Sequence, residues 1–290
     1  MPDIRALINY IDERQIREGD GSGYSFVKGL PPNIKDTFFA MSCLKMLKAA
    51  SPDSEIVRFL SSYCSFDFYG AYYAMRCLKM AGAEVSLQGG LLRWSYEGKE
   101  WARPYAVPAT PLICYLKYEV YGEYASSIFS SPLSALLKRI ELGESDLSTS
   151  LINSLLVLLS SSRLDIMSAY MVLEILRAIG MQGRSISVPQ TTRDEIKQFL
   201  KRCTTREGYV ANPNSSSVTL DSTYAGHRIA RYIGVPDPPG IGDFIDSLQN
   251  ENGGFRRTPF GGISTLESCY LALSIILDDL IPGDLTEQRG

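Results

Sequence analysis

Apolar residues recur along much of the chain at positions i, i+3, i+4 and i+7, which is the spacing of one face of an α-helix. Most segments with this stripe are polar on the opposite side, so we predict amphipathic helices with one buried face. The stripes begin at Ile4, Ile56, Leu133, Ile152, Ile196 and Ile241. A second class of segment is apolar nearly all round and should be buried on every side. Its members are residues 37–47, 71–80, 168–179, 222–233 and 268–277.

The two classes of segment alternate along the chain, and three of the connectors between them share a fixed spacing. In each connector a glycine lies 13 positions before an acid: Gly23 and Asp36, Gly208 and Asp221, Gly254 and Glu267. An open solenoid would need polar caps at both ends, and neither end supplies one clearly. The alternation therefore favours a closed two-layer ring of about six helix pairs, formed as a single domain over residues 1–290.

The region 83–143 interrupts this pattern, and we predict that it is irregular. Prolines at 104, 108 and 111 break the helical spacing there. A third helix pair could be formed by residues 110–121 with residues 132–140.

Composition and charge narrow the class of protein. Hydrophobic residues make up 45% and charged residues 21% of the chain, as in ordinary globular proteins. The net charge is −3 without a run of Lys or Arg, so neither nucleic acid nor an anionic membrane is indicated as a partner. The densest apolar stretch, residues 151–159, is too short for a membrane span.

The ends, the cysteines and the histidine add three expectations. The N-terminus has no basic region followed by an apolar run, so no secretory signal is indicated. The six cysteines form no CxxC pair, and several lie in helical patterns, which favours reduced thiols and a cytoplasmic location. His227 is the single histidine of the chain, which excludes a site that needs two imidazoles.

The segment Gln249-Asn250-Glu251-Asn252-Gly253-Gly254-Phe255, followed by residues 265–273, resembles the prenyltransferase/squalene-cyclase repeat. In that repeat an outer helix ends with Leu-Gln, the chain turns through Gly-Gly-Phe, and an inner helix opens with an acid, Ser or Thr, and aromatics. Residues 21–24 with 36–40, and 208–209 with 221–225, are similar. The matches lie towards both ends of the chain. The resemblance implies an all-α fold, the (α/α)6 toroid of protein prenyltransferase β subunits and terpene cyclases.

The zinc chemistry of protein prenyltransferases is not matched. The resemblance implies zinc ligands from an Asp-x-Cys at the fifth inner helix and a His at the sixth, where this chain has Asp221, Thr223 and Glu267. Carboxylates without a soft ligand make a poor zinc site, so we expect no metal. The family also holds the prenyl diphosphate with an Arg and a Lys just before that Asp, and residues 214–220 contain no cation.

The cyclase chemistry is not matched either. Of the DxDD motif that terpene cyclases use to protonate substrate, residues 33–37 retain only Asp36, and Lys35 stands at the proton donor's place. Asp221 and Glu267 are the candidate catalytic residues if the chain is an enzyme. The main interpretation of all three acids is structural, because acids at helix starts satisfy free N–H groups and complement the helix dipole.

Two other reactive side chains have plainer interpretations. His227 lies on an apolar helix and is more typical of a hydrogen-bonded interior histidine than of a base. Cys269 has no basic partner nearby in sequence, so a nucleophilic role has little support.

Aromatic residues form the most suggestive set of candidate ligand-binding residues. Phe39, Tyr73, Tyr224 and Tyr270 lie at one aligned position of four apolar segments, and Tyr170 is a fifth. In a toroid these side chains would surround one mouth of the axis. They line an apolar pocket or pack as ordinary core, and both interpretations remain open at this point.

The sequence leads to one main hypothesis and two alternatives. The main hypothesis is a prenyltransferase-like toroid that binds an isoprenoid or other apolar small molecule, without cofactor and without zinc-dependent transfer. The first alternative is a divergent active prenyltransferase or terpene cyclase, with Mg²⁺ and a diphosphate held by Asp221 and Glu267. The second is a protein-interaction scaffold with a packed interior. The β subunits of the family work with a helical partner protein, which the resemblance makes a candidate partner here.

Overall fold

A computed structural model describes residues 2–19, 21–88, 90–106, 132–141, 149–159, 164–181 and 188–278. These residues form eleven α-helices and five β-strands. In chain order they are α1 (Ile4–Asp12), β1 (Gln15–Glu18), β2 (Gly21–Tyr24), α2 (Ile34–Met46), α3 (Asp53–Ser61), α4 (Phe68–Met80), β3 (Glu84–Gln88), β4 (Leu91–Tyr96), β5 (Lys99–Pro104), α5 (Pro132–Glu141), α6 (Thr149–Leu159), α7 (Ile166–Met181), α8 (Gln190–Cys203), α9 (Leu220–Ile233), α10 (Ile241–Ser247) and α11 (Leu266–Asp278). Within the described ranges, none of the helices has the length and apolar character that crossing a membrane requires.

The chain forms two compact units. The terminal unit consists of Met1–Pro108 and Ile245–Gly290, and the central unit consists of Ala109–Phe244. Within the described residues, the first and last helices, α1 and α11, therefore belong to the same unit.

In the terminal unit, α2 packs between α4 and α11. Near the helix starts, Lys35 Nζ lies 2.9 Å from Glu267 Oε2. Towards the helix ends, Ser274 Oγ lies 3.9 Å from Met46 Sδ. Contacts at both ends mean that α2 and α11 run parallel, side by side. The first and last apolar helices are thus neighbours, as expected for a chain whose ends meet.

The predicted apolar segments are buried, as their composition requires. In α2, Phe39, Ala40, Cys43 and Leu44 are at most 1% exposed, and every residue from Asp36 to Leu44 is buried. By contrast α1 is amphipathic and buries one face, with Leu7, Tyr10 and Ile11 inward. The two classes of helix inferred from the pattern are confirmed.

Five helices, called here the core helices (α2, α4, α7, α9 and α11), begin with the same cap. A side-chain oxygen accepts a hydrogen bond from the backbone N–H three residues later, which satisfies one of the free donors at a helix start. The cap residues are Asn33, Asp67, Asp165, Thr219 and Thr265. These caps fix where each helix begins, and so which residues occupy equivalent positions within each helix.

The region 83–143 contains a sheet that the sequence analysis did not predict. Strands β3, β4 and β5 form a three-stranded antiparallel sheet in that order. Glu97 and Gly98 make the two-residue turn between β4 and β5, both with positive φ, as tight hairpins require. The all-α prediction is therefore wrong. The predicted helix at 132–140 is confirmed by α5, while residues 110–121 lie outside the described part of the chain.

The signal for this sheet was present in the sequence as an alternation of period two. In β4, Leu92 and Trp94 are buried and Arg93 between them is exposed. Trp94 stacks on Trp101 of β5, with ring centroids 5.8 Å apart. Cross-strand aromatic pairs stabilise a hairpin, and a search confined to the helical period does not detect them.

A second, smaller hairpin joins β1 to β2 and lies against α3. A Cβ at Gly21 would lie 2.5 Å from the backbone nitrogen of Phe59, and a Cβ at Gly23 would meet the Phe59 ring at 2.8 Å. The glycines allow this strand to lie flush on the helix, so the Gly-Ser-Gly sequence is explained by close packing.

In the central unit, α7 packs against α5, α6 and α9, and α8 packs against α6 and α9. His227, fully buried in α9, lies with Nδ1 2.9 Å from Asp237 Oδ2. The Tyr209 hydroxyl donates to the other oxygen of Asp237 at 3.1 Å. The interpretation of His227 as a hydrogen-bonded interior histidine is confirmed.

Candidate functional site

One hydrogen bond, from a backbone N–H to a side chain, recurs at the start of three core helices. It shows which residues of the three repeats are equivalent. In each, an aromatic residue follows the glycine of the connector, and its backbone N–H donates to a side chain. The acceptor is always the residue four positions after the helix cap. The pairs are Tyr24 to Thr37 at 2.9 Å, Tyr209 to Thr223 at 3.4 Å, and Phe255 to Cys269 at 3.4 Å. Thr37, Thr223 and Cys269 are therefore equivalent in the repeat.

This alignment corrects the equivalence of the acids by one position in the first repeat. Asp36 is the third residue after its cap, as Ser222 and Ser268 are after theirs. Lys35 occupies the position of Asp221 and Glu267. The constant spacing of 13 from glycine to acid is real, but it does not mark one structural position, because the first connector is one residue shorter.

The aromatic set shifts in the same way. The residue five positions after the cap is aromatic in all five core helices: Phe38, Tyr72, Tyr170, Tyr224 and Tyr270. Phe39 and Tyr73 lie one residue further along, so their predicted equivalence with Tyr224 and Tyr270 is wrong. Phe38 and Tyr72 are the members that sequence reasoning missed. The cap residues Asn33 and Asp67 were the signal that could have identified them.

The terminal unit brings three of the predicted residues together around Phe38. The Phe38 ring centroid lies 5.2 Å from Tyr73 and 6.1 Å from Tyr270. The Phe39 centroid lies 5.4 Å from Tyr270 and 6.1 Å from Tyr73. Phe39 is 1% exposed and Phe38 is 6% exposed. Phe39 is therefore packed between helices, and the side chain of Phe38 is slightly more exposed to solvent.

A cation accompanies these rings. The Arg76 guanidinium lies 5.5 Å from the Phe38 centroid and 5.9 Å from the Tyr72 centroid, within cation–π range. Arg76 Nη1 also donates to the Tyr72 hydroxyl at 3.2 Å. Arg76 follows Tyr72 by one helical turn, so the aromatic ring and the guanidinium lie on the same face of α4.

The central unit contains the other two members of the aromatic set as a pair. Tyr170 and Tyr224 meet edge to face with centroids 5.5 Å apart, and their hydroxyl oxygens are 3.3 Å apart. Burial raises the pKa of Tyr224 well above its usual value, so the phenol stays neutral. One turn further along, Arg228 Nη2 lies 3.6 Å from Glu174 Oε1. The order is the same as in α4: aromatic ring first, charge one turn later.

The candidate catalytic acids belong to different units, and each lies in the first turn of its helix. Asp221 begins α9 and is 8% exposed. Glu267 begins α11 and forms the ion pair with Lys35. Asp36, also 8% exposed, accepts a hydrogen bond from the Asn33 side chain. Burial raises the pKa of Asp36, opposed by the Asn33 hydrogen bond and the Lys35 charge. All three acids lie at helix starts, where the helix dipole favours negative charge, but the backbone N–H groups three residues after the caps are bonded by Asn33, Thr219 and Thr265 and not by the acids.

The positions of the family's zinc ligands are committed to other contacts. Thr223 is fully buried and accepts the Tyr209 N–H, and Glu267 faces Lys35. In the described ranges, no three His, Cys, Asp or Glu residues come together as a possible metal site. The expectation of a zinc-free protein stays a prediction.

Cys269 takes part in the repeat as an acceptor. Its sulfur is buried and receives the Phe255 N–H, in the place where Thr37 and Thr223 use a hydroxyl. Burial raises the pKa of Cys269 to about 12, with the Phe255 hydrogen bond acting in the opposite direction. A thiol with so high a pKa contains almost no thiolate near neutral pH and is a poor nucleophile.

Comparison with known proteins bears directly on the family. A search of curated proteins and a search of solved structures returned no match. The sequence model of the prenyltransferase alpha-alpha toroid domain matches residues 2–88 and 148–280, which is most of the chain. The matched ranges include all five core helices with their caps. The chain belongs to the prenyltransferase alpha-alpha toroid family.

Proposed function

We propose that this protein binds an isoprenoid or another apolar chain at the aromatic residues that recur near the starts of its core helices, and that it does not carry out zinc-dependent transfer. The observation that carries the proposal is the repetition of an aromatic side chain five residues after the cap in all five core helices, from Phe38 to Tyr270. Ordinary core packing requires apolar residues there but does not require rings at every one of these positions.

The binding energy of such a ligand would come from apolar area removed from water. At about 25 cal/mol per Å², a few hundred Å² of buried chain contributes several kcal/mol before the cost of ordering the ligand. Aromatic rings supply large, rigid contact area for this purpose. Phe38, Tyr170 and Tyr224 each keep between 6% and 9% of their surface accessible, as side chains at the wall of a ligand site would.

The residues at the reactive positions support binding without transfer. A soft thiolate ligand is missing at Thr223, and Glu267 is neutralised by Lys35 at 2.9 Å. The same ion pair argues against Mg²⁺, since a metal would have to displace the Lys35 ammonium from its carboxylate. Residues 214–220 offer no cation for a diphosphate. We expect the chain alone not to transfer a farnesyl or geranylgeranyl group to a cysteine peptide.

The two neighbouring phenylalanines of α2 provide the sharpest test. A fluorescent polyprenyl probe is titrated into the parent protein, Phe38→Ala and Phe39→Ala, and unfolding in urea is followed for each. Phe39→Ala should lose about 3–5 kcal/mol of stability, because it leaves a void in a packed region. Phe38→Ala should lose less stability than Phe39→Ala and should lower the affinity for the probe more. The reason is that one side of the Phe38 ring would face the ligand.

Two outcomes would reject the proposal. If the parent binds no polyprenyl probe, and organic extracts of the purified protein contain no apolar ligand by mass spectrometry, the scaffold alternative takes its place. If the parent turns over prenyl diphosphate, and Asp221→Asn or Glu267→Gln abolishes that turnover, the chain is an active enzyme. A cytoplasmic location and a helical partner protein belong to the same proposal. The location is supported by cysteines that form no CxxC pair, and the partner by the family resemblance.

A further inference from the structure

Two loops of the terminal unit expose large apolar side chains to solvent. One connects β2 to α2 and exposes Phe26, Val27 and Leu30, the last at 52%. The other connects α10 to α11 and exposes Phe260 at 89% and Ile263 at 65%. These five residues are called the apolar loop surface. Large apolar side chains exposed close to one another are more typical of an interaction surface than of an ordinary solvated loop.

Hydrogen-bonded turns hold these side chains outward. Thr258 Oγ1 donates to the Gly261 carbonyl at 3.2 Å, and Gly261 and Gly262 have φ of +133° and +125°, which glycine alone adopts readily. In the first loop the Leu30 N–H donates to the Val27 carbonyl at 3.1 Å, with Gly29 at φ +92° between them. The exposure of these side chains is therefore built into the backbone of both loops.

The two loops lie at the same end of the terminal unit. The first loop leads into the cap Asn33 of α2, and the second leads into the cap Thr265 of α11. These helices are parallel neighbours, joined near their starts by the Lys35–Glu267 ion pair. The side chains of the apolar loop surface thus project from adjacent helix starts.

The charged residues next to the exposed apolar side chains are cationic, although the connector before α11 also contains Glu251. Residues 25–32 contain Lys28 and no acid, and residues 256–264 contain Arg256 and Arg257 and no acid. The chain as a whole has a net charge of −3, so this cationic character is local. The sequence does not present it as a cluster, because the two loops come from opposite ends of the chain. Only the pairing of α2 with α11 brings them to one end.

The equivalent connector of the central unit shows that the repeat does not require these residues. Residues 211–218, which lead into the cap Thr219, contain Asn212, Asn214 and three serines and no large apolar side chain exposed to solvent. The same structural element is therefore compatible with a loop that exposes no large apolar side chain, and the exposed rings of the terminal unit need a separate reason.

We propose that the apolar loop surface inserts into the interface of a lipid bilayer that carries anionic headgroups. Apolar side chains at loop tips can enter the boundary between headgroups and acyl chains, while adjacent Lys and Arg residues bind anionic lipid. A protein partner is less well matched, because the exposed residues stand on two separate turns and the charged residues nearest to them in sequence, Lys28, Arg256 and Arg257, are cations. The proposal stands on exposure and charge, and does not depend on the apolar ligand proposed above.

The test is flotation of the full chain with vesicles. One set is phosphatidylcholine with about 30% phosphatidylserine, the other is phosphatidylcholine alone, and neither contains an isoprenoid lipid. The parent should float with the anionic vesicles and bind the neutral ones more weakly. Phe260→Ser should lower the partition coefficient about tenfold or more, since a phenylalanine is removed from the acyl boundary. Lys28→Gln should lower it about fivefold on anionic vesicles only.

Val157→Ser is the matched control. Val157 is 72% exposed on α6 in the central unit. Its substitution therefore removes an exposed apolar side chain outside the apolar loop surface. It should float as the parent does. Because Phe260 is almost wholly exposed, Phe260→Ser should retain the parental unfolding midpoint. Failure of the parent to float, or equal loss in Phe260→Ser and Val157→Ser, overturns the proposal. A parental dimer in light scattering that Phe260→Ser dissociates also overturns it, in favour of a second copy of this chain.

Discussion

The phenol of Tyr10 in α1 donates a hydrogen bond of 2.8 Å to the backbone carbonyl of Ser264, in the connector before α11. Both residues are buried. A Cβ at Gly254 would lie 2.8 Å from the Tyr10 ring, so the glycine makes room for the phenol. The bond joins residues near opposite ends of the sequence, and it lies inside the unit that those ends form.

Tyr10→Phe should lower the free energy of unfolding by about 1–3 kcal/mol, because the Ser264 carbonyl is left buried without its donor. Urea denaturation followed by circular dichroism measures this change. Tyr96→Phe on β4, where the side chain is partly exposed, should change stability by less than about 0.5 kcal/mol. Equal effects of the two substitutions would mean that the Tyr10 bond contributes nothing.

Asp36 predicts a pH dependence of stability with a definite sign. Its pKa in the folded protein is raised above the ordinary value of 3.8 by burial, so the folded state binds the proton more tightly than the unfolded state. The stability it contributes is therefore complete below pH 3.8 and is lost as the pH rises through the raised pKa. Asp36→Asn cannot ionise, so its stability relative to the parent should increase over that rise.

Urea unfolding of the parent and Asp36→Asn, measured from about pH 3.5 to about pH 7, reveals this difference. Asp243→Asn, at an exposed position of α10, is the control. A stability difference between Asp36→Asn and the parent that stays constant with pH would show that the carboxyl is not destabilised by its surroundings.

Protein purified without chelator should contain no stoichiometric zinc. Thr223 and Glu267 hold the places of the family's thiolate and imidazole, and both have other partners. Elemental analysis by mass spectrometry measures the metal. A full equivalent of zinc that disappears in Asp221→Ala would prove the interpretation of these positions wrong.

The thiols should differ in reactivity according to burial. Cys64 is exposed, whereas Cys269 is buried and has a pKa of about 12. Alkylation near neutral pH, followed by peptide mapping, should label Cys64 rapidly and Cys269 only when denaturant unfolds the terminal unit. Rapid labelling of Cys269 in the folded protein would revive its candidacy as a nucleophile.

Much of the helical framework could be predicted because its signals are local. The stripe at Leu7 and Ile11 marks α1, and the unbroken apolar run through Phe39 and Leu44 marks a helix buried on all sides. Such periodicity reports which faces avoid water before any partner is known. The interior role of His227 followed from the same logic.

The sheet at 84–104 and the register of the aromatic set were missed for different reasons. Strand β4 carries a period-two signal around Trp94 that a helical search passes over. For the aromatics, the constant distance from glycine to acid suggested one alignment. The N–H of Tyr24 reaches Thr37, 13 residues away, whereas that of Tyr209 reaches Thr223, 14 residues away. A connector that is one residue shorter turns each side chain on the helix that follows by about 100°.

By itself, the sequence determined the family and the two classes of helix, because repeat motifs and hydrophobic periodicity depend on neighbours a few positions apart. The tertiary structure alone decided that Glu267 pairs with Lys35, and that Phe38 and Phe39 both pack near Tyr270, with ring centroids 6.1 Å and 5.4 Å from it. It also brought Leu30 and Ile263 to adjacent helix starts. These relationships follow from how α2 and α11 lie side by side, and residues more than 200 positions apart carry no local signal of their contact.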